Sequence, residues 1–265
     1  MSWGSDLLVD ADKNNTYRRI TRYVLDHSDL VFGDCQPVRE KAISFGVPDE
    51  RIVTFPWGVD VARFSPDGDD GGLRQRAGWQ DDFVLLHLRS WEPIYGVDIF
   101  LRGFIRAAQQ VPELRLFMLG NGSLATKLRQ MVVHGQVLDR VQFAGQVPQD
   151  KLPNYYRAAD MYASASHSDG SSISLLEALA SGLPVLVSDI PGNREWAGPQ
   201  VGWRFPDGDS ETLAAQIIAA AADRKKLKQM GAAARQVAET RADWHKNFEK
   251  MLVAYPQAVA AVKKR

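Results

Sequence analysis

At 265 residues, 45% apolar and 24% charged, the chain has the composition of a globular protein of one large or two small domains, and wholesale disorder is excluded. Its 32 basic residues balance 32 acidic ones, which argues against a dedicated nucleic-acid binder. The single cysteine, Cys35, excludes a disulfide framework and any multi-cysteine zinc site. The five histidines are scattered without metal-ligand spacing. No apolar run reaches the roughly 18 residues of a spanning helix, and the N-terminus has no signal-peptide core, so a cytoplasmic protein is expected.

Strand-like and helix-like segments alternate through most of the chain. Thr16–His27 is predicted as a helix with Tyr17, Ile20, Tyr23 and Val24 on one face. Leu30–Phe32 reads as a short buried strand. Pro37 fits the first turn of a helix that Gly46 and Pro48 stop, and Arg51–Phe55 reads as a second strand. Pro56, Gly58, Pro66 and the cluster Asp67–Gly72 then break regular structure, so residues 59–78 are expected to be a linker with a helical turn at Leu73–Ala77. Beyond it, Phe83–Leu88 is a continuous apolar run, as in a parallel strand covered on both faces. Helix Val97–Val111, strand Leu114–Leu119, helix Leu124–Val133, strand Val141–Ala144, helix Leu152–Arg157, strand Met161–Ala165, helix Ile173–Ser181 and strands Val185–Ser188 and Gly202–Phe205 follow. Three helices close the chain, about Leu213–Ala222, Lys225–Thr240 and Trp244–Val262, the last kinked at Pro256. Six strands alternating with helices imply an α/β protein with a doubly wound, mostly parallel sheet.

In such a sheet, ligands bind beyond the carboxyl ends of the strands. That singles out four loops: Arg89–Gly96, Gly120–Ser123, Gly145–Pro148 and Ser166–Ser172. Arg89 directly follows a buried strand, where a guanidinium can take a pair of phosphate oxygens or pair with Glu92 or another loop carboxylate. Gly120 and Gly122 permit close approach of a ligand, or form a tight turn. The segment Asp169-Gly170-Ser171-Ser172 opens a helix whose N-terminal N–H groups and dipole favour an anion, although Ser171 or Ser172 could equally be plain N-caps. Asp169 and Glu177 lie eight residues apart, and carboxylates beside a phosphate site suit hydroxyl-rich ligands. Glu177 could instead be a helix-surface residue, but Leu175, Leu176, Ala178 and Leu179 flank it with core. Cys35 reads as structural.

The stretch Ser168–Asp189 (SDGSSISLLEALASGLPVLVSD) resembles the donor-site motif of retaining GT-B glycosyltransferases, family 4 and its relatives (glycosyl transferases group 1). Further pieces fall in the family's order: Gly46–Asp60 with Phe64–Pro66, Leu88–Gly96 (LRSWEPIYG), Leu119–Gly122, Phe143–Val147, Pro191–Glu195, Gly202–Trp203 and Pro206–Asp209. The resemblance implies one complete Rossmann-like domain over residues 79–243, which binds a nucleotide-diphosphate sugar. It also implies a remnant of an N-terminal, acceptor-side Rossmann-like domain over 1–58, the linker 59–78, and a C-terminal crossover helix over 244–265.

The same resemblance implies roles. Arg89 would hold the diphosphate, Asp169 would touch the transferred sugar, and both are the candidate catalytic residues. Glu177 would bind the ribose. Gly170, Ser171 and Ser172 would contact sugar and phosphate, and Gly120, Gly122, Gln146 and Val147 would surround the nucleoside. Two positions depart from the family: Tyr95 stands where a lysine is usual, and Asp169 where a glutamate is usual. Tyrosine can hydrogen-bond a phosphate but brings no charge. The implied reaction is transfer of a sugar to an acceptor hydroxyl on a glycan, lipid or small molecule, with retention and with no metal or other cofactor. The chain is shorter than full members, so it is expected to be N-terminally truncated, with a second chain as a candidate source of the rest. Two alternatives are a nucleotide-sugar-binding module or partner subunit without transfer, and an epimerase of the same architecture.

Overall fold

The computed structural model describes residues 2 and 4–262. The six-residue run Phe83–Leu88 (β3) is the centre of a six-stranded, all-parallel sheet. With β4 (Leu114–Leu119), β5 (Val141–Gly145), β6 (Met161–Ser164), β7 (Val185–Ser188) and β8 (Gly202–Phe205), the spatial order is β5-β4-β3-β6-β7-β8. Alternate side chains of β3 enter different cores. Phe83 and Leu85 face one apolar layer, Val84 and Leu86 the other. Burial on both faces is why the strand reads as an unbroken apolar run rather than an alternating one.

The first layer is built from α5 (Val97–Ala108), α6 (Ala125–His134) and α10 (Ser210–Ala222). The second comes from α7 (Leu152–Arg157), α8 (Ile173–Ala180) and α11 (Arg224–Arg241). Helices cover both faces, so the sheet is doubly wound, and its order reverses between β3 and β6. Several helix ends differ from the sequence expectation by a turn or less because caps decide them: Asp209 caps α10 by accepting the Glu211 and Thr212 N–H groups, and Asp223 caps α11 by accepting that of Lys226.

A second unit occupies the N-terminal part. Two parallel strands, β1 (Val31–Gly33) and β2 (Ile52–Thr54), pack with α1 (Ser5–Leu8), α2 (Asn15–Asp26) and α3 (Gln36–Ser44) around Leu7, Leu25, Val38, Ala42 and Phe45. Asn14 caps α2. The apolar face predicted on that helix does form, but it points outward: Tyr17, Ile20, Tyr23 and Val24 are all exposed, and Leu25 is the buried side chain.

Residues 59–78, expected as a linker, are short of regular structure except for α4 (Leu73–Ala77), yet they are not loose. Val59 and Phe64 are buried in the second layer of the sheet core. Arg235 of α11 donates to the carbonyls of Val61, Phe64 and Ala180. The chain passes between the units twice, side by side: Val59 N–H donates to the Ala242 carbonyl (2.7 Å), and Trp244 N–H to Val59 (3.0 Å). The last helix, α12 (Trp244–Val262), runs through Pro256 and returns to the N-terminal unit, where Met251 and Ala254 pack on Phe32, Phe55 and Trp57. The final three residues of the crossover segment expected over 244–265 lie outside the described residues. No helix among the described residues is long and apolar enough to cross a membrane.

Candidate functional site

The reversal of strand order between β3 and β6 opens a crevice at their carboxyl ends. A cleft of about 660 Å³ lies there. Arg89, the first residue after β3, and Asp169, in the loop after β6, form an ion pair through Arg89 Nη2. Arg89 Nη1 also donates to Ser172 Oγ (2.5 Å) and Ser174 Oγ (3.3 Å) at the start of α8. Its Nε has no hydrogen-bond partner. The alternative reading, a pairing with Glu92 or another loop carboxylate, holds in its second form, since the partner is Asp169 and not Glu92. Glu92 instead accepts the Ser123 N–H (2.8 Å) and hydroxyl (2.5 Å). Burial raises the Asp169 carboxyl above its usual range, opposed by the guanidinium beside it.

Tyr95, standing where the family resemblance leads to expect a lysine, lines the cleft and lies against Arg89, its ring centroid 4.2 Å from the guanidinium carbon. Its aromatic face supports the arginine rather than replacing a second charge.

Of the other predicted residues, Gly120, Gln146, Val147, Ser171 and Ser172 line the same cleft. Gly122, Gly170 and Glu177 do not. Gly120 and Gly122 serve the packing of loops on one another. A Cβ on Gly120, whose φ is +121°, would stand 2.0 Å from the Arg89 carbonyl oxygen, and one on Gly122 would stand 2.6 Å from that of Trp91. Trp91 N–H donates to the Asn121 carbonyl, and Leu124 N–H to Trp91. These bonds fix the backbone from which Arg89 projects. Gly120→Ala is therefore expected to cost roughly 3 kcal/mol, from backbone strain plus overpacking, read as a lower urea midpoint.

The N-terminus of α8 is less free than its sequence implies. Ser172 is its N-cap residue but makes no side-chain capping bond. The Ser171 N–H is already taken by the carboxylate of Asp34 (2.8 Å), and the Ser171 hydroxyl donates to the Asp34 carbonyl (2.7 Å). Asp34 also borders the cleft. Sequence reasoning missed it, although the signal existed: it follows β1, at a strand's carboxyl end, in the N-terminal unit rather than the large sheet.

Glu177 is no surface residue. It is 3% exposed, directly behind the cleft-lining Ser174. Its Oε2 accepts the Tyr156 hydroxyl at 2.7 Å, and burial pushes its carboxyl up to about 7. Cys35 is buried as expected, its thiol pushed far up by burial.

The arrangement offers an always-charged donor beside a helix N-terminus, ringed by carboxylates that accept hydroxyl hydrogens. Comparison with known proteins gives this chemistry a context. The sequence profile of the glycosyl transferases group 1 matches residues 72–237. A D-inositol 3-phosphate glycosyltransferase of Geodermatophilus obscurus is 28% identical over 239 residues, covering 86% of this chain and 52% of that protein. A GDP-mannose-dependent alpha-(1-6)-phosphatidylinositol monomannoside mannosyltransferase of Mycolicibacterium smegmatis is 27% identical over 236 residues, covering 86% and 62%. The chain thus spans between half and two thirds of the length of these curated relatives. Among solved structures, Anabaena HepE in complex with UDP superposes with a TM-score of 0.85 at 23% identity, covering 96% of this chain and 71% of that one. Sucrose-phosphate synthase of Thermosynechococcus elongatus does so at 0.82 and 22%, covering 97% and 65%. Both likenesses concern the fold, which is that of the GT-B glycosyltransferases.

Proposed function

The chain belongs to the glycosyl transferases group 1 family, and from that premise we propose that its cleft binds a nucleotide-diphosphate sugar and transfers the sugar to an acceptor hydroxyl with retention. The observation that carries this reading is the meeting of Arg89, Asp169 and the start of α8 at the reversal of strand order. The unpartnered Nε of Arg89 is a donor suited to a phosphate oxygen. The names of the relatives, one GDP-mannose-dependent and one crystallised with UDP, support a nucleotide sugar without choosing the base.

In this reading the incoming diphosphate takes Arg89 from Asp169, and the released carboxylate turns to the sugar hydroxyls. The bond from the sugar C1 to the diphosphate oxygen breaks, with its electron pair leaving on the phosphate. The acceptor oxygen bonds to C1 on the same face and gives its proton to the departing phosphate. Arg89 and the Ser172 end of α8 stabilise the charge that develops there. No metal ion is invoked. Titration of the chain with UDP, GDP and ADP tests the reading. Micromolar binding of one of the three supports it, and binding of none overturns it.

A second reading, donor binding without transfer by this chain alone, is favoured by the exposed apolar face of α2, a surface suited to further acceptor-side structure from another polypeptide. Donor binding without sugar release or transfer in a product assay would select it.

A further inference from the structure

The Asp34 carboxylate is only half used. Oδ2 accepts the Ser171 N–H, but Oδ1 has no hydrogen-bond partner, and the residue is 3% exposed. A buried carboxylate oxygen without a donor is costly and calls for an explanation. The neighbouring Cys35 thiol interacts with the carboxyl, but a thiol is a weak donor and leaves most of the need unmet. Gly170 passes so close that a Cβ there would stand 2.4 Å and 2.6 Å from the two carboxylate oxygens, and a glycine without side-chain hydrogens to donate is what fits. Asp34 borders the same cleft as Asp169, and the two line it together with Ser171. An ionised carboxylate only accepts, so its complement is a donor group. A sugar seated in this cleft brings hydroxyl groups, which are such donors.

We propose that Asp34 is a specificity-determining residue for the transferred sugar: Oδ1 accepts a hydrogen bond from one of its hydroxyls, while Oδ2 keeps Ser171 in place. The inference rests on the donor-binding reading above. Burial already holds this carboxyl above its usual range, and a hydroxyl hydrogen bond to the ionised form relieves that penalty. The N-terminal unit thereby contributes directly to the sugar pocket of the large sheet.

The test is titration of the full chain, Asp34→Asn and Asp34→Ala with the free nucleoside diphosphate that binds and with its glucose and galactose conjugates. The free nucleotide should bind the native chain and Asp34→Asn, which keeps an acceptor for Ser171, within about twofold. The additional affinity that the sugar brings should fall roughly tenfold or more in Asp34→Ala and less in Asp34→Asn, and the preference between the two sugars should flatten. Asp34→Asn is isosteric and keeps an acceptor for Ser171, so it carries the test if the alanine variant does not fold. An unchanged ratio of conjugate to nucleotide affinity overturns the assignment. So does an equal loss for both ligands, which would make Asp34 a support for the loop. So does unchanged conjugate binding with weaker saturation by an acceptor sugar, which would place the hydroxyl on the acceptor. If the native chain binds no nucleotide, the donor-binding reading fails first and takes this one with it.

Discussion

Arg89→Ala is expected to abolish measurable nucleoside diphosphate binding and to destabilise the fold at the same time. Both effects come from one geometry. The Arg89 and Asp169 side chains are 10% and 17% exposed, so the pair is largely desolvated. Removing the cation from such a pair costs about 3–5 kcal/mol, because a buried carboxylate is left without its partner. The diphosphate loses a forked, charge-assisted donor, which by itself corresponds to roughly a hundredfold in affinity. The two effects separate in a double-mutant cycle. Arg89→Ala with Asp169→Ala should recover much of the stability, since no charge is stranded, while nucleotide binding stays lost. Arg89→Lys should fall between, because ammonium keeps the charge but cannot reproduce the contacts to Asp169, Ser172 and Ser174 at once. Urea unfolding and calorimetric titration of the native chain, Arg89→Ala, Asp169→Ala, the double variant and Arg89→Lys would decide it. Native-strength nucleotide binding by Arg89→Ala would remove the diphosphate role from this residue.

The parts of the architecture that follow from local pattern were legible in the residues. A parallel strand buried on both faces is mostly apolar, so Phe83–Leu88, His87 apart, and Leu114–Leu119, Arg115 apart, announced themselves. The rule that ligands sit beyond strand carboxyl ends pointed to Arg89 and Asp169 one at a time. Their pairing was not legible. The two are 80 residues apart and meet because β6 lies beside β3, which no local pattern encodes. Asp34 and Ser171, 137 residues apart, belong to different units, so their bond depends on how the units dock. Periodicity on α2 announced an apolar face, but a period says nothing of what covers it, and that face is exposed. Tyr95 reads as a lost charge in sequence. In space it is a support for Arg89, since aromatic contact with a guanidinium leaves no trace in spacing.

Glu177 gives a large effect of pH. Its carboxyl is pushed from an ordinary 4.5 to about 7 by burial, with the Tyr156 hydroxyl pulling the other way. Below 4.5 the carboxyl is protonated in both the folded and unfolded chain and costs nothing. Between 4.5 and about 7 the unfolded chain releases its proton while the folded one keeps it, so stability falls as pH rises. Above that range the loss is complete and amounts to roughly 3 kcal/mol. Glu177→Gln keeps an acceptor for Tyr156 and has no charge to bury. It should therefore match the native protein near pH 4.5 and exceed it by about 2–3 kcal/mol at pH 8. Urea unfolding of the two proteins at several pH values checks this, and the other carboxylates cancel in the difference. The same substitution tests the ribose role. Ribose hydroxyls donate best to the ionised carboxylate, so nucleotide affinity in the native chain should rise from pH 6 to pH 8 more steeply than in Glu177→Gln. A 2′-deoxynucleotide should show a smaller difference between them. A residue retained for packing would yield the stability gain with no change in the binding profile. The combination of a more stable protein and a weaker, flatter nucleotide profile is what a buried carboxylate kept for ligand hydroxyls requires.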